Sequence, residues 1–168
     1  VLVELISKYG FESAIKKIEG MFAIAAWDRN SGKLFLSRDR MGEKPLYYSI
    51  DNNQISFGSN INCFKTIPNK DLKICQNSVK SYFKLNYIPQ EKSIYKNIYK
   101  LIPGNYLEYD VKLKSYKINS YWNINDKLEF NKDNNLIYET SKTLENSVES
   151  HLISDVEVGT LLSGGIDS

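Results

Sequence analysis

The sequence predicts a mixed α/β chain of the α+β kind, on three observations. Near the start, Val1, Leu2, Leu5, Ile6 and Tyr9 recur at helical spacing. The centre alternates short apolar runs with turns rich in Asn, Asp and Gly, the pattern of antiparallel hairpins. The end runs through helical spacing, a short loop, an apolar strand and a glycine bend, the order in which a parallel α/β domain opens.

Taken in order, Gly10 stops the first helix, and Phe11, Ile15 and Ile18 form a second short amphipathic segment that Gly20 ends. Residues 21–27 are apolar on both faces and read as a strand buried from both sides. A turn from Asp28 to Gly32 returns the chain as a partner strand over 33–37. Next comes a charged corner, Arg38-Asp39-Arg40-Met41-Gly42-Glu43-Lys44-Pro45. Neighbours in an extended chain point to opposite faces, so Arg38 and Asp39 need separate partners. On its own, the corner reads as a solvated turn.

Residues 46–50 and 54–58 form another hairpin around Asp51, Asn52 and Asn53. Residues 77–87 are helical in pattern, with Val79, Phe83 and Tyr87 on one stripe. Residues 106–111 and 116–122 alternate as strands of a hairpin that turns near Lys112, Leu113 and Lys114. Residues 123–133 are polar and lack periodic apolar positions, as a linker does. Ile137, Leu144, Val148 and Leu152 then share a helical face, with Asp133 or Asn134 as caps. The boundary falls near Asn125, which gives a first domain over 1–125, a linker over 126–133 and the start of a second domain over 134–168.

Length allows one ordinary domain with a sizeable core, since the chain has 168 residues. It has no initiator methionine and ends inside a motif, so it reads as a piece of a longer protein. Lys and Arg outnumber Asp and Glu only by 22 to 20 and the charges are interspersed, which argues against a nucleic-acid partner. No apolar run reaches the roughly 20 residues that a membrane span needs, and no signal peptide is visible, so the expectation is a soluble cytoplasmic protein without membrane partners. Cys63 and Cys75 lack metal spacing and read as reduced thiols, with no histidine placed to activate either one. His151, the single histidine, cannot anchor a metal cluster alone and suits a helix end.

The most telling stretch is the last. Val156, Val158 and residues 160–162 read as a short buried strand, followed at once by Ser163-Gly164-Gly165-Ile166-Asp167-Ser168. Glycines let backbone N–H groups approach a ligand closely, and a run of them flanked by Ser163 and Ser168 suits a phosphate. The same six residues read equally well as an ordinary turn, with Asp167 or Ser168 as N-cap. They lack the spacing and lysine of a Walker loop.

This bend resembles the S-G-G-x-D-S pyrophosphate loop of ATP pyrophosphatases. The approach to it, from His151 through Gly159, resembles that of glutamine-dependent asparagine synthetases. A second resemblance covers the earlier chain. Gly20-Met21-Phe22-Ala23 with Trp27-Asp28, then Arg38-Asp39-Arg40-x-Gly42-x-Lys44-Pro45-Leu46-Tyr47-Tyr48, is similar to the latter half of a class II glutamine amidotransferase domain. Leu101-Ile102-Pro103-Gly104 and Tyr121-Trp122 resemble the end of that domain. One departure is Asn60, where the family has an acidic residue after the serine, so a carboxylate partner for some buried cation is absent.

The resemblance implies the C-terminal part of an Ntn-type αββα glutaminase sandwich, followed by the first helix and strand of a parallel α/β ATP-pyrophosphatase domain. It implies an ATP-dependent carbon–nitrogen ligase that takes ammonia from glutamine and amidates aspartate through an acyl-adenylate, releasing AMP and pyrophosphate. Two other readings stay open, a relative amidating another carboxylate such as a surface-polysaccharide uronic acid, and a non-catalytic scaffold module. In the family's terms Leu161, Ser163, Gly164, Gly165, Asp167 and Ser168 hold ATP and pyrophosphate, Asp167 holds Mg²⁺, and Met21 lines an ammonia tunnel. On sequence alone Met21 is more simply a core residue. The family's nucleophile is an N-terminal cysteine that Cys63 and Cys75 do not match, so the fragment by itself is expected to be inactive. The sequence does not fix an oligomeric state, and the resemblance allows a homodimer.

Overall fold

The computed structural model describes residues 1–127 and 135–166. It divides the chain into two compact units, Val1–Leu128 and Glu129–Ser168.

In the first unit, α1 (Leu2–Tyr9) and α2 (Phe11–Lys17) are joined at Gly10. Strand β1 (Ala23–Asp28) pairs antiparallel with β2 (Lys33–Arg38), and β3 (Tyr47–Asp51) with β4 (Gln54–Gly58). A 3-10 helix (Ile61–Thr66) and α3 (Gln76–Leu85) follow, then the short β5 (Tyr99–Lys100), β6 (Asn105–Asp110) and β7 (Ser115–Ser120). A 3-10 turn at Ile124–Lys127 comes last. The strands form one sheet in the order β1-β2-β6-β7 and a second in the order β4-β3-β5, every pair antiparallel.

Period-two alternation on β2 and β6 sorts side chains into two cores. Leu36 pairs with Leu107 in register, and both point with Tyr109 toward Leu46 and Tyr48 of the second sheet and its neighbour Leu101. Phe35 and Tyr106 point the other way, onto Phe11 and Ile15 of α2. Phe11 stacks on Phe35 at a ring separation of 4.7 Å and meets Tyr106 edge-on at 5.8 Å. The layers are therefore helix pair, four-stranded sheet, three-stranded sheet. Each fully buried leucine here contributes about 1.5–3 kcal/mol of transfer free energy. The hairpin between β3 and β4 turns on Asn52 and Asn53 at φ 48° and 61°, left-handed values that asparagine tolerates and that match the twist of the strands.

Several expectations change. The second helix ends at Lys17 rather than Gly20, because Ile18 is extended and packs into the helix-side core. Strand β1 is not buried from both sides. It lies at the sheet edge, the second sheet reaches only its Ala23, and Trp27 and Met21 are exposed. The core reading of Met21 falls with this. On α3 the expected stripe of Val79, Phe83 and Tyr87 is not packed, and the buried residue is Ser78.

In the second unit, α4 (Leu136–His151) forms with Asn135 at its N-cap and no side-chain cap bond; Asp133 and Asn134 lie outside the described residues. His151 is its last residue, with Nδ1 2.7 Å from the Ser147 carbonyl oxygen, as a helix end favours. Ile137, Leu144, Val148 and Leu152 are exposed. The expected buried strand is absent: residues 155–162 form no strand, and Val156, Leu161 and Leu162 are exposed. A strand needs a neighbour to take its backbone hydrogen bonds, and these residues have none among the described ones. Among the described residues no helix is long and apolar enough to cross a membrane.

Leu36→Ala should destabilise the full-length protein by about 2–5 kcal/mol, because the hole opens between two sheets that cannot close on it. Chemical denaturation measures this; a loss below about 1 kcal/mol would place Leu36 outside the working core.

Candidate functional site: a buried charged corner and an exposed glycine bend

The corner after β2 is buried at its root and exposed at its tip. Asp39 is 1% exposed and Arg38 is 9% exposed, while Met41, Glu43, Lys44 and Pro45 are exposed, so the solvated-turn reading holds for the tip and is overturned for Arg38 and Asp39. The expectation of separate partners holds. The Asp39 carboxylate accepts from backbone N–H groups only: Oδ1 from Met41 at 3.2 Å and Glu43 at 2.9 Å, Oδ2 from Phe22 at 3.3 Å and Lys44 at 3.0 Å. Burial pushes this carboxyl up, but the amides of Lys44, Glu43, Gly42 and Phe22 outweigh it and hold it below the usual carboxylate range.

Arg38 points the other way and donates to three carbonyl oxygens, of Lys44 at 2.8 Å, Leu101 at 2.9 Å and Gly42. Burial lowers its pKa, with Asp39 and Tyr47 opposing. The main chain of Asp39 bonds to Phe22 and Gly104 at 3.0 Å each, and the Gly104 oxygen accepts from the N–H groups of Tyr121 and Trp122. Tyr121 Oη donates to the Arg38 oxygen at 2.9 Å, with its phenol pushed up to about 12 by burial and then by the Asp39 charge.

Two glycines make this closure possible. A Cβ on Gly42 would stand 2.5 Å from Pro103 Cγ, and one on Gly104 would stand 2.5 Å from the Trp122 carbonyl oxygen. Both have φ near +70°, at +72° and +68°, where a side chain is strained as well. Segments far apart in sequence, 20–23, 38–48, 101–104 and 121–122, thus meet on the Asp39 carboxylate, the Arg38 guanidinium and the main chain of Arg38, Asp39 and Gly104. Sequence reading singled out these segments but could not see that they touch.

At this junction Lys16, Arg40, Tyr121, Trp122, Asn123 and Asp126 line a cavity of about 460 Å³. Arg40 Nη2 donates to the Lys16 oxygen at 3.2 Å, while its Nε is buried without a partner among the described residues. Sequence reading gave this arginine no role of its own, and only its burial marks it. Asn60 accepts from Asn62 N at 2.9 Å and caps the 3-10 helix. Half-buried Lys100 donates to the Ile88 oxygen at 3.0 Å and has no ion pair among the described residues. Burial, and then Arg38, lower its pKa.

The glycine bend lies in the second unit. Gly164 has φ +77°, and the Gly165 N–H donates to Ser163 Oγ at 3.4 Å, so the turn has begun to form. Leu161 is fully exposed, and Asp167 and Ser168 lie outside the described residues. Among the described residues no group of three His, Cys, Asp or Glu is placed to hold a metal. Met21, half-exposed, directly precedes the Phe22 amide that bonds Asp39.

Comparison with known proteins gives two families. The glutamine amidotransferase domain family matches residues 1–122, and the asparagine synthase family matches residues 139–168. A putative glutamine-hydrolysing asparagine synthetase 2 of Methanocaldococcus jannaschii is 37% identical over 170 residues, covering 100% of this chain and 33% of that protein. Glutamine-hydrolysing asparagine synthetases 1 and 2 of Bacillus subtilis are 32% and 36% identical, covering 94% and 100% of this chain and 24% of each relative. The chain thus spans a quarter to a third of the length of these curated relatives.

Asp39→Asn should destabilise the full-length protein at neutral pH by about 1.5–3 kcal/mol, because an amide NH₂ would face backbone donors. The native carboxyl lies below the ordinary ~3.9, so its contribution is complete above that pH and is lost as pH falls through the folded-state value. Unfolding curves between pH 2 and 7 should therefore show a shallower acid limb for Asp39→Asn. Parallel limbs would mean that Asp39 does not carry the charge.

Proposed function

We propose, because this chain belongs to the glutamine amidotransferase domain family and its last residues match the asparagine synthase family, that it is part of a glutamine-hydrolysing asparagine synthetase. The succession of the two matches along one chain carries this reading. The reaction is ATP, aspartate and glutamine to asparagine, AMP, pyrophosphate and glutamate. Residues 1–125 form the C-terminal part of an Ntn-type αββα sandwich, supported by two facing antiparallel sheets with α1 and α2 on one side. Residues 126–133 are the linker, and 134–168 open a parallel α/β domain.

The chemistry follows from the leaving group. A carboxylate cannot lose hydroxide to ammonia, so its oxygen first attacks the α-phosphorus of ATP, and pyrophosphate leaves with the bonding electrons. Ammonia released from glutamine then displaces AMP from the acyl-adenylate. Amides of Gly164 and Gly165, with the Ser163 and Ser168 hydroxyls, hold the pyrophosphate as its charge develops. Leu161, two residues before the loop, contacts the nucleotide through its backbone. Asp167 would hold Mg²⁺ on the phosphates, neutralising their charge. Met21 lines the route by which ammonia leaves the first domain.

The full-length protein should release pyrophosphate in a glutamine-dependent way with aspartate. Release with a uronic-acid sugar instead would assign the other carboxylate, and release with neither would remove the ligase reading. Gly164→Val puts a β-branched residue at φ +77° in the loop. It should lower ATP–pyrophosphate exchange by about a hundredfold or more while glutamine hydrolysis continues. Unchanged exchange would detach the loop from ATP.

A further inference from the structure

One cluster outside this chemistry lies at the start of α3. Cys75 is its N-cap residue, held by an antiparallel stretch in which Cys75 N donates to the Ile94 oxygen and Lys96 N to the Lys73 oxygen, both at 2.8 Å. The first N–H groups of a helix lack intrahelical acceptors, and no acidic residue stands in this first turn. As a neutral thiol, Cys75 makes no capping bond to them. Ser78, one turn on, is 0% exposed, and its hydroxyl has no hydrogen-bond partner among the described residues. A buried donor left over beside orphan amides is a place prepared for negative charge.

Cys75, Ser78, Lys92, Tyr95, Lys96 and Tyr99 line a cavity of about 310 Å³. No carboxylate lines it among the described residues, and neither Lys92 nor Lys96 is in an ion pair there. Asp71, on the approach to Cys75, is paired with Lys73 at 2.8 Å. Cys75 is partly accessible.

We propose that Cys75 is a thiolation site, whose thiolate exchanges with small, negatively charged disulfides that enter this cavity. The Ser78 hydroxyl first, then the Ser78 and Asn77 amides and the Lys92 charge, hold the thiol below its ordinary value against the opposing effect of burial. On ionising, the sulfur becomes the acceptor that Ser78 and the helix amides lack. The thiolate attacks one sulfur of the disulfide, forming a new S–S bond to Cys75. The old S–S bond breaks, and the leaving thiolate keeps its electron pair and takes a proton from water. The disulfide is itself the oxidant. Lys92 and Lys96 favour an anionic disulfide over a neutral one. Cys63, exposed on the 3-10 helix after β4, is the internal control.

The test treats full-length protein with the dianion 5,5′-dithiobis(2-nitrobenzoate) and with neutral 2,2′-dithiodipyridine, and reads each cysteine by peptide mass spectrometry. At pH 7 Cys75 should react about tenfold faster than Cys63 with the dianion, with a pH–rate midpoint below about 8.5. Ser78→Ala should raise that midpoint, and Lys92→Gln with Lys96→Gln should slow the dianion more than the neutral reagent. A native Cys75 no faster than Cys63, or with a midpoint at or above about 8.5, overturns the proposal without any variant. So does a folded Ser78→Ala protein with an unmoved profile. None of these outcomes bears on amide synthesis, which is assayed separately.

Discussion

The carboxylate of Asp39 is the constraint on which the first unit depends. It has lost its water, and four backbone N–H groups replace it, from Phe22 before β1 and from Met41, Glu43 and Lys44 in the corner. A buried charge is tolerable only when satisfied this fully. The requirement fixes the path of the chain from β2 into β3. Arg38 does the converse on the opposite face by collecting carbonyl oxygens, one of them from Leu101 far along the sequence. The two neighbours are not an ion pair with each other; each neutralises backbone dipoles. Gly104 and Tyr121 then close onto the corner's main chain, and this fastens the end of the unit to its beginning.

Around this fixed point, the two cores follow from strand alternation. Strands β2 and β6 lie at the middle of their sheet, so both faces are covered and their side chains divide between Leu46 and Tyr48 on one side and Phe11 and Ile15 on the other. Strand β1 has the same apolar character but an edge position, and its Trp27 is exposed. Composition marks a residue as apolar; position in the sheet decides whether anything covers it. The same distinction explains α3, whose aromatic residues remain exposed while a serine is buried.

The glycine bend and the corner contrast in how function is encoded. The bend is a local device: Ser163, Gly164 and Gly165 carry their hydroxyl and left-handed backbone by residue type alone, and the turn begins to form without a surrounding sheet. The phosphate-holding role proposed for it rests on resemblance, because the same residues also read as an ordinary turn. The corner is non-local, and its residues acquire meaning only when Phe22, Leu101, Gly104 and Tyr121 arrive. Cys75 is intermediate. Its place before a helix was readable, but the unpartnered Ser78 hydroxyl and the flanking lysines were not, since they depend on how residues 92–99 fold back.

By itself the sequence determined the three hairpin turns at Asp28 to Gly32, Asn52-Asn53 and Lys112 to Lys114, the end of α1 at Gly10, and the separate partners of Arg38 and Asp39. These depend on spacing, on left-handed tolerance and on strand geometry, all local properties. Only the tertiary structure decided that Arg38 and Asp39 are buried, that β1 lies at an edge, that Val79, Phe83 and Tyr87 do not form a packed stripe, and that residues 160–162 are not a strand in this chain. Each of those depends on which neighbour arrives to cover a face or accept a hydrogen bond, and no window of adjacent residues contains that neighbour.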